Sequence, residues 1–248
     1  MGKNKLRKFS EMATMERVLQ YPFGVLREEG FPWRGRWAEF FGNDNPVTLE
    51  LGCGKGEYAV GLARRFPERN FIGIDIKGAR MYTGATQARD EGLSNVAFLR
   101  TSIELLEHFF APGEVSEIWI TFPDPQMKKE RKRLTGTRFL EMYRRLIATG
   151  GRIRLKTDSP FLYTYTSLVT GCNNLPVEAS TDDLYAAPAT DGLPEALRSI
   201  RTFYEQQWLD RGLSIKYIAF GLDGDTPLVE PDEEIPFDTY RSFSRGQL

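Results

Sequence analysis

The sequence predicts an α/β protein built around a parallel sheet that carries helices on both faces. From residue 47 onwards, short apolar runs alternate regularly with segments of helical spacing. A strand, a helix and a second parallel strand form a right-handed crossover, and successive crossovers build a sheet of this kind. The 248 residues are enough for one large domain or two small ones, and either would bury a sizeable core.

The predicted elements follow one another in the order that such a sheet requires. Strands are predicted at the apolar runs 47–51, 71–76, 96–100, 117–122, 152–157 and 215–222. Helices are predicted at 57–65, 79–91, 138–148, 160–169 and 202–211, where apolar residues recur at helical spacing. Pro67 and Gly92 mark the ends of the first two helices, and Gly150 and Gly151 follow the third.

Two regions flank this alternation, and one irregular stretch interrupts it. Residues 1–46 form a basic and aromatic extension with a possible helix near 11–20, residues 47–222 form the main domain, and residues 223–248 form an acidic tail. The tail is expected either to be disordered or to compete for a basic surface. Residues 172–200 have no clear pattern, and a connection of that length indicates a function or mobility.

Opposite charges are separated along the chain, although the net charge is only −1. Residues 1–8 hold four bases and no acid, residues 128–133 hold five bases and one acid, and residues 223–238 hold seven acids and no base. Such a distribution allows a nucleic acid or another anionic partner despite the near-neutral total.

The composition argues against several other classes of protein. Cys53, Cys172 and the single histidine, His108, are too few for a zinc cage. No segment resembles a signal peptide or an apolar run of membrane-spanning length. We therefore expect a cytoplasmic protein with unpaired thiols, without a metal and without a membrane partner.

A glycine-rich segment connects the first predicted strand to the first predicted helix. Gly52, Gly54 and Gly56 alternate with other residues there, which lets the backbone turn tightly and approach a ligand without interference from Cβ atoms. The amides at the start of the following helix would face that ligand. We expect this loop, Gly52 included, to bind a cofactor; a loop without any ligand is the alternative.

Carboxylates around the loop indicate the chemistry of the ligand. Asp75 ends the second strand, where a carboxylate can accept both hydroxyls of a ribose. A dinucleotide is the competing ligand, but its fingerprint needs a glycine where this chain has Glu57, and an acid there would repel a pyrophosphate. Glu50 is equally unsuited to phosphate and suits a ligand with ammonium and sulfonium groups.

S-adenosylmethionine, a nucleoside with a cationic tail, satisfies these requirements. Thr101 ends the third predicted strand, where an adenine base would rest against the edge of the sheet. A threonine at that place is more often only a local turn residue.

A rigid acidic turn followed by a basic run comes after the fourth strand. Asp124 stands between Pro123 and Pro125, which restrict the backbone on both sides of it. Rigid presentation suits a reacting group, although an ordinary turn before a solvated charge run is the alternative. The cations that follow, which we expect to neutralise phosphates, are Lys128, Lys129, Arg131, Lys132 and Arg133.

Three further polar residues have both a structural and a functional interpretation. Asp158 follows the fifth strand directly before Ser159-Pro160, which is also typical of a helix N-cap. Thr202 and Glu205 have the spacing of a capping box, and the same pair could serve a substrate.

Five separated motifs together resemble the bacterial tRNA (guanine-N7-)-methyltransferases. They lie at 47–56, 71–75, 122–133, 156–158 and 202–205, in the order of that family, and the likeness runs from about residue 47 to 222. Members of the family have the class I methyltransferase fold, a Rossmann-like sheet of seven mostly parallel strands whose last strand is antiparallel. They transfer a methyl group from S-adenosylmethionine to N7 of a guanine in the variable loop of tRNA. The resemblance thus implies S-adenosylmethionine as cofactor and tRNA as partner, with monomer and homodimer both open.

The resemblance also implies roles for individual residues. Glu50 and Asp75 match positions that contact the cofactor, and Asp124 matches the catalytic aspartate, which also touches the cofactor. The implied substrate-binding positions are Lys128, Asp158, Thr202, Phe203, Tyr204 and Glu205.

Three positions depart from the pattern of the family. Thr101 stands where an acid is common, so that the adenine contact would be made through its backbone or hydroxyl. Gln126 and Met127 replace an aromatic residue and a histidine, so no imidazole is available. The basic run is also shorter than in some relatives.

The chemistry of guanine does not require that histidine. N7 has an in-plane lone pair at neutral pH, and its attack on a methyl group needs no prior deprotonation. Positive charge settles on the guanine ring during the transfer, so carboxylates aimed at it, Asp124 and Asp158, would stabilise the transition state. Alignment of the methyl donor with N7 supplies the remaining rate enhancement through proximity.

Other functions remain as rivals at this point. A methyltransferase acting on an exocyclic amine would carry an aromatic residue after the second proline, where this chain has Gln126. An RNA-binding protein that has lost cofactor binding would not be expected to keep Glu50, the glycines and Asp75. A nicotinamide oxidoreductase is disfavoured by Glu57 and by the lack of a convincing acid for hydride transfer.

Overall fold

Eight strands form one sheet through the centre of the protein. This computed structural model describes residues 3–186 and 193–239. The strands are β1 (Val18–Gln20), β2 (Val47–Leu51), β3 (Asn70–Asp75), β4 (Val96–Arg100), β5 (Val115–Thr121), β6 (Ile147–Thr157), β7 (Val177–Thr181) and β8 (Lys216–Gly221). Their order across the sheet is β1-β4-β3-β2-β5-β6-β8-β7.

The strand directions confirm the expected sheet. Strands β1 to β6 pair in parallel, whereas β8 runs antiparallel to both of its neighbours, β6 and β7. The sheet has eight strands rather than the expected seven, because β1 pairs with the edge strand β4. A strand of three residues is too short to show a period in the sequence, and its pairing partner defines it.

Helices cover both faces of the sheet. They are α1 (Lys3–Ala13), α2 (Phe23–Glu29), α3 (Trp37–Phe41), α4 (Glu57–Arg65), α5 (Gly78–Asp90), α6 (Thr137–Leu146), α7 (Pro160–Cys172), α8 (Ala196–Ser199) and α9 (Phe203–Leu209). No helix in the described part of the chain is long and apolar enough to cross a membrane.

Alternation along the central strands divides the core into two layers. Leu49 and Leu51 of β2 pack in the layer beneath α2, α3, α6 and α7. Trp119 of β5 points to the opposite layer, beneath α1, α4, α5 and α8, where its ring lies 5.1 Å from that of Tyr58. Period-two alternation with helices on both faces is the arrangement predicted for parallel crossovers.

One local prediction is wrong, and one stretch without a predicted element needs correction. The helix expected near 11–20 lies instead at 3–13, because Val18–Gln20 is drawn into the sheet; the amide of Phe98 donates to the carbonyl of Arg17, 2.8 Å away. The stretch 172–200, which has no clear pattern in the sequence, contains β7 and α8. Both corrections involve elements that depend on a partner distant in sequence.

Residues 223–239, which we call the C-terminal strap, lie against α6 and α7. Arg144 of α6 donates to the carbonyl of Thr226 (2.9 Å), and the amide of Leu228 donates to Glu141 (2.8 Å). Leu228 and Ile235 pack against the core. Much of the predicted acidic tail is therefore packed along the domain, while residues 240–248 lie outside the described residues.

Candidate functional site

The carboxyl ends of the parallel strands bring most of the predicted site residues to one edge of the sheet. Each of these residues stands close to the end of a strand, where ligands bind in open α/β sheets. In chain order they are Glu50 near the end of β2, Gly52 directly after β2, Asp75 as the last residue of β3, Thr101 directly after β4, Asp124 in the turn after β5 and Asp158 directly after β6.

The glycine loop between β2 and α4 is shaped by its backbone. Gly52, Gly54 and Gly56 have φ angles of 73°, 55° and 74°, a region that favours glycine. A Cβ atom on Gly52 would meet no other atom within 4 Å, so the loop presents open backbone there. A Cβ atom on Gly56 would lie only 2.5 Å from the ring of Phe98, which explains why that position must be glycine.

Asp75 joins the end of β3 to the glycine loop. Its Oδ2 accepts a hydrogen bond from the amide of Gly54 (2.9 Å), and its Oδ1 accepts one from the amide of Lys77 (2.7 Å). Each carboxylate oxygen has a second lone pair. The half-buried side chain can therefore fix the loop and still accept hydroxyl groups.

Glu50 lies beneath the loop in a closed polar pocket. The side chain is only 3% exposed; its Oε2 accepts from the amide of Ala59 and its Oε1 from the hydroxyl of Thr121, both at 2.8 Å. Burial raises the pKa of Glu50 to about 8, despite these two hydrogen bonds. A buried carboxyl of this kind favours a cationic neighbour, because a positive charge would restore its ionised form.

Thr101 is buried, at 7% exposure, just beyond β4. The adjacent Arg100 stacks its guanidinium over the ring of Phe9 at 4.6 Å, so that α1 reaches this part of the edge. A Cβ atom on Gly78 would lie 2.9 Å from the same ring. Phe9 gave no signal in the sequence, because its place depends on how α1 docks against α5.

The acidic turn after β5 is held in a costly conformation. Phe122 and Gln126, on either side of Pro123-Asp124-Pro125, both have a φ of 49°, which is uncommon for residues with side chains. The amide of Phe122 donates to the carbonyl of Lys156 (2.8 Å). Asp124 itself is exposed and accepts from the amide of Gln126 (3.1 Å). The turn thus presents a carboxylate to solvent on a constrained backbone.

The basic run after the turn divides into two kinds of residue. Lys128, Lys129, Arg131 and Lys132 are exposed, as expected for phosphate contacts. Arg133 is only 7% exposed; its Nη2 donates to the carbonyl of Met127 (2.8 Å), and its guanidinium lies 4.4 Å from the ring centre of Tyr165. These contacts speak against the expected phosphate contact and give Arg133 a structural role in closing the loop.

The Thr-x-x-Glu motif forms a capping box at the start of α9. Glu205 is fully buried and forms an ion pair of 2.7 Å with Lys156, which is also fully buried. The hydroxyl of Tyr185 donates to the same carboxylate (2.6 Å). Burial lowers the pKa of Lys156 to about 8, although Glu205 acts against the shift. Glu205 therefore faces the interior, and the structural interpretation accounts for its contacts.

The two central residues of that motif lie on the surface instead. Phe203 is 50% exposed and Tyr204 is 40% exposed. The ammonium group of Lys55 lies 4.1 Å from the ring centre of Phe203, and the amide of Phe203 donates to Glu57 (3.2 Å). The start of α9 is therefore beside the glycine loop, a neighbourhood that spacing along the sequence does not reveal.

Asp158 is 1% exposed and directly precedes the first turn of α7. The N-cap is Ser159, whose Oγ accepts from the amide of Leu162 (3.0 Å). The predicted capping function thus belongs to the serine. Asp158 lies between this cap and the end of β6.

The arrangement as a whole brings carboxylates and exposed bases to the same edge of the sheet. Glu50 and Asp75 supply carboxylates around the glycine loop, while Asp124 stands on the turn that follows Thr121, the hydrogen-bond partner of Glu50. The exposed bases of the loop lie immediately beyond Asp124. Such an edge can bind a nucleoside with a cationic tail next to a polyanion.

Comparisons with known proteins agree with this geometry. A family described as putative methyltransferases matches residues 44–217. A relative from Porphyromonas gingivalis named tRNA (guanine-N(7)-)-methyltransferase is 62% identical over 240 residues, covering 95% of this chain and 97% of its own. A relative of the same name from Bacteroides thetaiotaomicron is 56% identical over 248 residues, covering 100% of this chain and 97% of its own.

Solved structures with low sequence identity share the fold. A 16S rRNA methyltransferase, KamB, has a TM-score of 0.58 at 14% identity, covering 82% of this chain and 96% of that chain. A methyltransferase described as antibiotic-related has a TM-score of 0.55 at 17% identity, covering 75% and 92%. At these identities the likeness concerns the fold alone. The high identity to the curated relatives goes further: the chain belongs to the tRNA (guanine-N7-)-methyltransferase family.

Proposed function

We propose that this enzyme transfers a methyl group from S-adenosylmethionine to N7 of a guanine in the variable loop of tRNA. The observation that carries the proposal is the meeting of the open glycine loop, Asp75 and the constrained Asp124 at one edge of the sheet. The relatives named above are tRNA (guanine-N(7)-)-methyltransferases and share more than half of the residues of this chain. A tRNA substrate supports the expected cytoplasmic location.

The residues at the edge fit S-adenosylmethionine. The backbone at Gly52 is open, and the buried Glu50, whose pKa is raised to about 8, would be stabilised in its ionised form by a cation. Asp75 would accept the hydroxyls of the ribose, Thr101 would lie near the base, and Asp124 would close the site towards the substrate. When bound, the cofactor supplies the electrophilic methyl group.

Asp124 would stabilise charge rather than remove a proton. N7 of guanine attacks through a lone pair that is free at neutral pH, so no general base is required. The guanine ring becomes positively charged as the new bond forms, and a carboxylate fixed beside the ring lowers the energy of that state. The strained turn keeps the carboxylate in place before the substrate arrives, which avoids reorganisation during the reaction.

Four exposed cations would hold the RNA. Lys128, Lys129, Arg131 and Lys132 follow Asp124 directly and can each neutralise a phosphate, which gives affinity without a choice of sequence. Phe203 and Tyr204 offer exposed aromatic faces near the glycine loop, and bases stack on such faces. Asp158 and Glu205 are buried and would act on the substrate only through the elements that they hold.

The proposal is tested by incubating the protein with bulk unmodified tRNA and labelled S-adenosylmethionine. Reduction followed by aniline cleavage reports N7-methylguanosine specifically, and we expect cleavage at one position of the variable loop. Mass mapping that finds the methyl group on N2 or N6 would instead support an exocyclic-amine methyltransferase. Calorimetry without any heat of S-adenosylmethionine binding would support a non-catalytic RNA-binding protein.

The role of Asp124 is tested with Asp124→Asn, which keeps the shape and removes the charge. We expect kcat at saturating tRNA to fall by about 100-fold, the size of effect seen when one stabilising group is lost from a transition state. Glu130→Gln is the control, because Glu130 is an exposed acid of the same loop and should leave kcat unchanged. Unchanged turnover of Asp124→Asn would remove the proposed role.

A further inference from the structure

The C-terminal strap ends in a buried carboxylate at the start of α7. Asp238 is 6% exposed, although it lies in a segment whose other acids are mostly exposed. One carboxylate oxygen accepts from the hydroxyl of Ser159, and the other accepts from the amide of Phe161 (3.0 Å). Both donors follow Asp158 closely in the chain. Asp238 therefore fixes the backbone that leads out of β6 at the edge where the site residues meet.

The same residue also reaches the loop that carries Asp124. The amide of Asp238 donates to Sδ of Met127 (3.2 Å). Its neighbour Phe237 stands edge-on to Phe161, with ring centres 5.5 Å apart. Arg133 lies 4.9 Å from the ring centre of Phe161. Met127, Arg133, Phe161, Phe237 and Asp238 thus form one cluster, which we call the loop clamp.

A second anchor holds the strap before it reaches the clamp. Glu230 accepts from the amide of Thr137 (3.1 Å) at the first turn of α6, and also from the hydroxyl of Tyr165 on α7. Tyr165 is in turn one of the two rings beneath Arg133. The strap is therefore anchored to both α6 and α7 before it reaches the loop that carries Asp124.

The conformation of the loop explains why a clamp would be needed. Phe122 and Gln126 both have positive φ angles, and each such residue costs roughly 1–3 kcal/mol that the surroundings must offset. Arg133 donates to the carbonyl of Met127, and the backbone amide of Asp238 donates to Sδ of the same residue. Contacts on both sides of Met127 keep the segment after Asp124 in the strained geometry.

We propose that Asp238 is a positioning residue for methyl transfer. Its carboxylate ties the end of the strap to Ser159 and Phe161 at the start of α7, which keeps its backbone amide against Met127 on the loop of Asp124. This inference rests on the proposed function and adds the C-terminal strap to it. The glycine loop is held by other contacts, from Asp75 and from the carbonyl of Ile74. Loss of the clamp should therefore lower turnover without a matching loss of cofactor affinity.

The test uses the full-length chain with Asp238→Ala, and Glu234→Ala as the control. Glu234 is an exposed acid of the same strap, so the two variants change the net charge equally. Because small displacements of a reacting group cost roughly 10- to 100-fold in rate, we expect Asp238→Ala to lower kcat by about 10-fold and to leave the Kd of S-adenosylmethionine within about two-fold. Asp238→Asn, which keeps an acceptor oxygen, should recover part of kcat.

A purely structural role would give a different pattern. The thermal midpoint, the cofactor affinity and kcat would then fall together in Asp238→Ala, and that result overturns the proposal, as does an unchanged kcat. Met127→Leu serves as a second variant if Asp238→Ala does not fold, because it removes the sulfur acceptor at similar volume. It should lower kcat, and a kcat equal to that of the unaltered enzyme would also overturn the proposal. Failure of the proposed function is separate, since the unaltered enzyme would then form no N7-methylguanosine.

Discussion

The buried ion pair between Lys156 and Glu205 offers the sharpest prediction about stability. Both side chains are completely buried, and their charged atoms are 2.7 Å apart. Lys156 also donates to the carbonyl of Leu197, while Glu205 also accepts from the hydroxyl of Tyr185. Removal of one charge leaves the other in the core without its ion-pair partner. We therefore expect Lys156→Met and Glu205→Gln to be far more harmful singly than together.

The expected size of the effect follows from the burial of both groups. Breaking a buried pair by removing one partner costs roughly 3–5 kcal/mol. The hydrogen bond from Tyr185 stabilises the remaining carboxylate of Lys156→Met, so we expect about 3 kcal/mol for that variant. For a chain of this length that corresponds to about 6–12 °C in the thermal midpoint. The double variant retains an amide oxygen for the capping box and should lie within about 1 kcal/mol of the unaltered protein.

The assay is denaturant unfolding of all three variants, together with Arg152→Met as the control. Arg152 lies on β6, like Lys156, but its ion pair with Glu178 is 45% and 38% exposed. Such a surface pair should contribute less than about 1 kcal/mol. The comparison within one strand therefore separates the effect of burial from the effect of losing an ion pair.

The pH dependence of Glu205→Gln gives an independent check. Burial already lowers the pKa of Lys156 to about 8, from 10.5, and removal of Glu205 takes away the charge that opposes this shift. The folded protein then releases a proton that the unfolded chain still binds, so stability rises with pH. The difference in unfolding free energy between Glu205→Gln and the unaltered protein should therefore shrink between about pH 7 and pH 9. A deficit that is the same at both values, or a double variant as unstable as the worse single one, would refute the reasoning.

Two further predictions concern the cofactor and the RNA. Burial raises the pKa of Glu50 from 4.5 to about 8. The protonated Glu50 therefore contributes fully to the stability of the cofactor-free protein below about pH 4.5, and this contribution is lost as pH rises through about 8. Glu50→Gln should flatten this part of the stability curve and weaken S-adenosylmethionine binding in calorimetry; an unchanged curve would contradict the assignment. Arg131→Ala should reduce the slope of log affinity for tRNA against log salt concentration by about one. Arg133→Ala should instead lower the thermal midpoint. The reverse outcome would exchange the roles of the two arginines.

The sequence predicts the fold well where a signal is local. The strand at 47–51 and the helix at 57–65 have the predicted bounds in the structure, because an apolar run, a glycine turn and helical spacing are all contained in one short segment. Val18–Gln20 carries no such signal, since it becomes a strand only by pairing with the edge of β4. Its position was therefore predicted as helix.

The site shows the same division between local and distant information. Motif order indicated that Glu50, Asp75 and Asp124 would meet, because the carboxyl ends of parallel strands share one edge. It did not separate Arg133 from the cations beside it in the chain, since the burial of Arg133 comes from the rings of α7. Nor did it predict the packing of Asp238, whose partners lie at the start of α7 and on the loop that carries Asp124.

The contrast between Glu50 and Asp124 connects this architecture to the proposed chemistry. Glu50 is buried and has a raised pKa, so its ionised form depends on a positive charge nearby; Asp124 is exposed on a turn that holds its direction. In the proposed reaction the positive charge would pass from the methyl donor to the guanine ring. Glu50, whose ionisation responds to a nearby cation, is suited to the side that binds the methyl donor. Asp124, whose carboxylate is held in place by the turn, is suited to the side that binds guanine. Glu50 accepts a hydrogen bond from Thr121, the last residue of β5, and the turn of Asp124 follows directly. The end of β5 therefore connects the surroundings of the two acids.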